Sequence, residues 1–262
     1  MILEEQPDGV FLGGDLLPRP EFKQSDVVDF LNDFIREKFK KIKDVTEEET
    51  KIFVIMGNDD PKIFEKELER LDRDGLLEYV NEETRKFRNL FVTGYSFVPP
   101  TPFRLKDWER YDVSRYVGVG AVSPENGTRT VEISDYKEKY GTIEEDLSRL
   151  AENSPLEKTI FLFHSPPYDT ALDRADLDDK EVDHAPVDVH VGSIAIKRFI
   201  EEKQPLLTLH GHVHETVKLT GTWEEKIGDT FSFTGAHEEE ELVVVKFNTD
   251  RLEDSTRDTI RY

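Results

Sequence analysis

A chain of 262 residues that is 36% hydrophobic, 35% charged and 10% aromatic can bury a sizeable core and is too apolar to be a disordered polyelectrolyte. Its formal net charge of −22 repels phosphate backbones and disfavours general nucleic-acid binding, although bound cations can reverse the sign over a small phosphate ester. No run approaches the roughly 18 apolar residues of a membrane span, no signal-peptide pattern opens the chain, and the lack of cysteine removes disulfides and thiolate metal sites, so a cytoplasmic setting is expected.

Val10-Phe11-Leu12 lies at the heart of a first strand, 10–14, that runs into Gly13-Gly14-Asp15. Pro18 and Pro20 mark a loop, after which Phe22, Val27, Phe30, Leu31, Phe34, Ile35 and Phe39 recur at helical spacing over about 21–43. Ile52 to Met56 is apolar on both faces, as a central parallel strand is, and it stops at Gly57-Asn58-Asp59. Pro61 opens a second helix with Ile63, Phe64, Leu68 and Leu71 on its apolar face and Gly75 as its C-cap. Two strand–loop–helix units in succession predict an α/β fold with a covered sheet.

The segments "LLEYV" and "NLFVTGY" read as strands. "SFVPPTPFRLKDWERYD" is a proline-punctuated excursion, expected at the surface, whose Arg104, Lys106, Trp108 and Arg110 could offer cations to a phosphate. Thr142 and Glu145 predict a capping box for a helix over 142–153. "TIFLFHSPPYD" is a buried strand ending at His164; an acidic loop over about 167–190 holds His184 and His190, and a helix follows from Ser193 to about Lys203. "PLLTLHGHVHE" is another strand, and beyond Thr216 short β segments are expected at "TVKLTG", "TFSFTG" and "LVVVKF". No repeat or composition break divides the chain, so a single domain spanning 1–262 is the economical reading.

Four buried strands thus end in metal-ligand residue types: Asp15, then Asn58 with Asp59, then His164, then His212 with His214. Ligands gather at the carboxyl ends of strands in open α/β sheets, and glycine before a ligand lets the backbone turn sharply toward an ion. Two histidines one residue apart in extended backbone share a face. Carboxylate and amide oxygen together with imidazole nitrogen suit Mn, Fe, Zn or Ni better than Ca or Mg. Asp15 or Asn58-Asp59 alone is more often a turn or cap, and a lone His164 is as often a satisfied core histidine, whereas the pair His212/His214 favours a metal; their joint, ordered occurrence is what points to a site. His210, two residues before His212, faces either the cleft or the core.

The ordered set "GGD", "GND", "FHSPP" and "GHVH" resembles motifs two to five of the calcineurin-like metallophosphoesterases, over residues 9 to about 245. The resemblance implies an α/β-β-α sandwich with two divalent transition-metal ions. Asp15 would bridge them, Asn58, His164 and His212 would complete the second site, and His214 would belong to the first. It implies hydrolysis of a small phosphate ester, a phosphodiester (or monoester), by a metal-bridging hydroxide. Asp59 stands where many members carry a leaving-group histidine, and His190 is a candidate for substrate contact.

The family's first strand, ending in Asp-x-His or Asp-x-Asn, has no counterpart: "MILEEQPDG" looks like the tail of the helix that follows it. A start codon assigned too late is the expected reason, and a sheet lacking an inner strand the expected result. The alternative class is a non-catalytic scaffold on the same fold that binds a protein partner. Oligomeric state is open.

Overall fold

Residues 1–18, 23–47, 49–152, 155–239 and 241–261 are described in a computed structural model of the protein. After a short helix, α1 (Ile2–Glu5), strand β1 (Gly9–Gly13) lies parallel to β2 (Lys51–Ile55), with Gly13 opposite Ile55. Both strands fall within a residue of their expected spans. The long helix expected between them is α2 (Gln24–Asp29) and α3 (Arg36–Val45), joined by a π-helical stretch at Phe30–Ile35; Pro20 and Phe22 lie outside the described residues. The wider π turn rotates the apolar face, so Leu31 is buried while Phe34 points to solvent. α4 (Glu65–Arg73) enters through a 3₁₀ turn after Pro61 and ends at Gly75, whose φ of 74° lets Leu76 N–H reach back to Leu71 O. β3 (Glu78–Tyr79) completes the β1-β2-β3 sheet, with β1 at its edge among the described residues.

The second sheet collects β4 (Thr84–Phe87), β5 (Leu90–Tyr95) and β6 (Thr159–Phe163). The two-residue strands β7 (Glu181–Val182) and β8 (Ala185–Pro186) pair only with each other, and β9 (Leu207–His210), β10 (Glu224–Ile227) and β11 (Thr230–Thr234) join the second sheet. Its order is β10-β11-β9-β6-β5-β4, parallel from β11 to β5 and antiparallel at both edges. α5 (Asp135–Tyr140), α6 (Ile143–Ala151) and α7 (Ile194–Lys203) accompany it. Thr142 Oγ1 caps α6 by accepting from Glu145 N, 3.1 Å away, and Asn153 is outside the described residues. The chain closes with the hairpin β12 (Leu242–Asn248) and β13 (Arg251–Ile260).

Side-chain alternation divides the interior. Ile52 and Val54 of β2, and Phe161 and Phe163 of β6, pack with helical residues Leu31, Phe39, Leu68, Leu147, Ile196 and Phe199. The intervening Phe53, Ile55, Ile160 and Leu162 join Leu207, Phe233 and Leu252 in a second cluster without a helical member, where the two sheets meet. That is the helix–sheet–sheet–helix sandwich expected for the resemblance.

Two expectations are corrected. "TVKLTG" is not a strand but helix α8 (Thr216–Thr220), closed by left-handed Gly221. Thr216 Oγ1 donates to Ala171 O, and Thr220 Oγ1 donates to Thr216 O, so the β-branched residues are held by side-chain bonds rather than by a ladder. The 96–112 excursion is not a surface segment. Trp108 is fully buried and donates Nε1–H to Asp60 O at 2.8 Å; Lys106 is buried against Glu109; Arg110 pairs with Asp146 and covers the Phe97 ring at 3.8 Å. Of the four residues considered for phosphate, Arg104 alone is exposed.

Candidate metal centre

The first loop to reach the site follows β1. Gly14 takes φ 100° and Asp15 φ 53°, a left-handed pair that turns the Asp15 carboxylate back over the strand end. Gly57, after β2, has to be glycine: a Cβ there would overlap Asp15 Oδ1 and lie 2.6 Å from Asp15 N. Asp15 Oδ1 accepts from Asp59 N at 2.9 Å, and its Oδ2 lies 3.1 Å from His164 Nε2. Asn58 Oδ1 comes to 3.0 Å from the same nitrogen. His164, buried at the end of β6, turns its Nδ1 to Gly13 O at 2.7 Å. A donated Nδ1–H leaves Nε2 as the ligand atom, the usual division of labour in a metal-bound histidine. Three sequence-predicted residues therefore converge: one carboxylate oxygen, one amide oxygen and one imidazole nitrogen.

Without a metal, a proton on His164 answers the Asp15 charge. Burial opposes charge on both Asp15 and His164, yet their mutual attraction wins: Asp15 is held well below the usual carboxylate range and His164 is pushed up to about 8. Burial, reinforced by charge on His164, lowers His212 to about 3. His212 lies with its ring centroid 5.2 Å from that of His164, and neither of its ring nitrogens has a hydrogen-bond partner among the described residues. A neutral imidazole with free nitrogens beside that carboxylate, amide and imidazole fits a divalent transition ion, the group the sequence calls for.

The two histidines of "GHVH" are not held in the extended backbone on which their pairing is argued. β9 ends at His210, and His212 takes φ 70°. His214 is exposed and lines a surface pocket of about 190 Å³ with Val217, Lys218, His237, Glu238, Glu239 and Arg257. His210 belongs to the core: it stacks on Phe163, its Nδ1 donates to Ser165 O at 2.9 Å, and its Nε2 accepts from Thr208 Oγ1 at 2.8 Å. Burial lowers it to about 4. Asp59 is exposed, with Oδ1 accepting from Asn58 Nδ2 at 3.0 Å. His184 is exposed in the turn between β7 and β8, while His190 is partly buried against Asp173.

Asp60 is not among the candidates that the sequence singles out. It is almost wholly buried and accepts from Gly57 N at 2.9 Å, Leu16 N at 3.2 Å and Leu17 N at 2.9 Å, clamping the two ligand loops together. Burial and the Asp15 charge raise it to about 6. Nothing in "NDDP" marks which carboxylate turns inward. A second missed group, His237, Glu239 and Glu241, brings ligand atoms within 4.8 Å of one another; Glu241 is already engaged by His237 and Arg261.

The chain belongs to the calcineurin-like phosphoesterase family, whose model it matches over residues 1–216. That membership brings metal-dependent phosphoester hydrolysis as the general chemistry, with divalent metals normally bound. Among solved structures it is similar to TT1561 of Thermus thermophilus, at 17% identity and a TM-score of 0.54, covering 99% of this chain and 90% of that one. Another crystal structure is similar at 19% identity and a TM-score of 0.55, covering 98% and 90%. No curated protein matches. No helix among the described residues is long and apolar enough to cross a membrane.

Proposed function

We propose that this protein is a binuclear metal-dependent phosphodiesterase acting on a small-molecule ester. Asp15, Asn58, His164 and His212 would hold one divalent ion, and His214, exposed beyond the turn at His212, is assigned to a second ion by its place in the motif alone. The observation that carries the reading is the meeting of Asp15 Oδ2 and Asn58 Oδ1 at His164 Nε2, 3.1 and 3.0 Å away. When bound, the ions supply an acidified water and a counter-charge for the phosphoryl oxygens. The chain's own residues do the positioning. Gly13 O fixes the His164 ring, Asp60 locks both ligand loops, and Asn58 turns its amide nitrogen away to Asp59 so that its oxygen faces the site. A net charge of −22 turns polyanions away and favours a small ester.

The test is turnover of bis(p-nitrophenyl) phosphate with added Mn²⁺. Wild type should cleave it in preference to p-nitrophenyl phosphate, and Asn58→Ala or His164→Ala should lose about 100-fold or more in kcat/KM. Retention of full activity by both variants would overturn the reading.

A further inference from the structure

The segment after His164 leaves the site and returns to it. Tyr168 N donates to Ser193 O at 3.0 Å and Ser193 N to Pro166 O at 2.9 Å. Gly192 packs so tightly on this turn that a Cβ would lie 2.7 Å from Pro166 O. His190 is thereby fixed two residues from a contact with the turn that follows His164. The same loop is pinned on its other side to the residues just past His214: Arg174 N donates to Thr216 Oγ1 at 3.2 Å and Asp176 N to Glu215 Oε1 at 3.0 Å. Arg174 and His190 form an antiparallel bridge. His190 thus stands on a short span anchored beside both histidine-bearing strand ends.

Its environment is built for one tautomer. Asp173 is fully buried, and four donors approach its carboxylate: Asp169 N at 3.0 Å, Thr170 N at 3.0 Å, Gly192 N at 3.1 Å and His190 Nδ1 at 2.7 Å. A carboxylate facing Nδ1 holds the proton there and leaves Nε2 as the nitrogen that exchanges protons. Nε2 lies 3.6 Å from exposed Asp169, beyond hydrogen-bond range, and the ring is a quarter exposed. The residue before that loop, Tyr168, is tied to Asp188 at 2.7 Å, and Asp188 also receives His190 N at 2.9 Å.

Departure of an alkoxide from phosphorus requires a proton. Asp59 is the motif's candidate, yet it is exposed and engaged by Asn58. We propose that His190, oriented by buried Asp173, is the catalytic acid that protonates the leaving alcohol. This role rests on the phosphodiesterase reading above. As the oxygen of the entering water bonds to phosphorus, the bond to the leaving oxygen breaks with its electron pair on that oxygen. The proton on His190 Nε2 passes to it. The proton lost by the entering water goes to solvent, from which His190 is recharged. Asp173 is a positioning residue.

Two esters separate the possibilities: methyl p-nitrophenyl phosphate, whose leaving group needs little protonation, and methyl phenyl phosphate, whose leaving group needs it. His190→Gln keeps an amide N–H for Asp173. With Mn²⁺ it should lose about 100-fold in kcat on the phenyl ester and at least ten times less on the nitrophenyl ester. The alkaline fall in wild-type activity on the phenyl ester should vanish in the variant. The charged and titratable groups around His190 are Asp169, Asp173, Asp188, Tyr168 and Arg174, and none of them is altered by the substitution. In metal-free protein, long-range ¹H–¹⁵N correlation should show the neutral His190 ring carrying its proton at Nδ1, and Asp173→Asn should disturb this pattern. Equal losses on both esters, no loss on either, or the opposite tautomer would overturn the proposal. Wild type cleaving neither ester would overturn the phosphodiesterase reading, and this role with it.

Discussion

Two histidines at neighbouring strand ends, His164 just past β6 and His210 closing β9, are both buried and chemically opposite. Asp15 faces His164, which favours the imidazolium; His210 meets only a carbonyl and a hydroxyl, and burial holds it neutral, lowered to about 4. A histidine whose pKa falls from 6.5 to about 4 on folding binds fewer protons folded than unfolded. Its contribution is therefore full above pH 6.5 and is lost as pH falls toward 4, at a total cost of roughly 3 kcal/mol. Urea titrations from pH 7 to 4 should show a shallower acid decline in His210→Gln than in wild type; identical slopes would refute the assignment. Asp60 belongs to the same scale. Asp60→Ala strands the N–H groups of Leu16, Leu17 and Gly57 and should cost about 3 kcal/mol or more by the same measurement.

Elements carry the next set of consequences. The buried excursion grips the metal loops through Trp108, which bonds Asp60 O and lies under Lys62 Nζ at 4.1 Å. Trp108→Phe should destabilise by about 2 kcal/mol and weaken Mn²⁺ binding in calorimetry, since Asp60 neighbours the Asn58 loop. Gly57→Ala should fold but bind Mn²⁺ about tenfold or more weakly, because its methyl displaces Asp15. Strands β1, β2, β6 and β9 were legible from apolar runs closed by glycine or histidine, and Asp15, Asn58 and His164 from their place at those ends. The burial of Lys106, Trp108 and Arg110 was not, because "FRLKDWER" reads as surface until Glu109, Asp146 and Phe97 are known to face it. Helix α8 was misread because β-branched threonines satisfy their hydroxyls on Ala171 and on the backbone within their own turn, a choice local spacing does not reveal. The period-two rule on which His212 and His214 are paired does not apply here, because His212 takes a positive φ.

For the molecule as a whole, a charge of −22 makes the folded state repel itself. Raising KCl from about 0.1 to about 1 M shortens the screening length from about 10 to about 3 Å. A gain of about 1 kcal/mol would then raise Tm by about 3 °C in a differential scan, whereas a falling Tm would show that surface ion pairs outweigh the repulsion. The hydrogen bond from His164 to Gly13 closes a sequence separation of 151 residues, and His212 arrives later still. Ribosomes add about 5–20 residues per second, so the Asp15 carboxylate emerges on the order of ten seconds before its imidazole partners exist. In that interval the carboxylate has no imidazole to pair with, and the site is incomplete. On the proposed site, stalled chains ending before residue 164 should release Mn²⁺ on a desalting column, and released full-length chains should keep it; equal retention by both would count against that site.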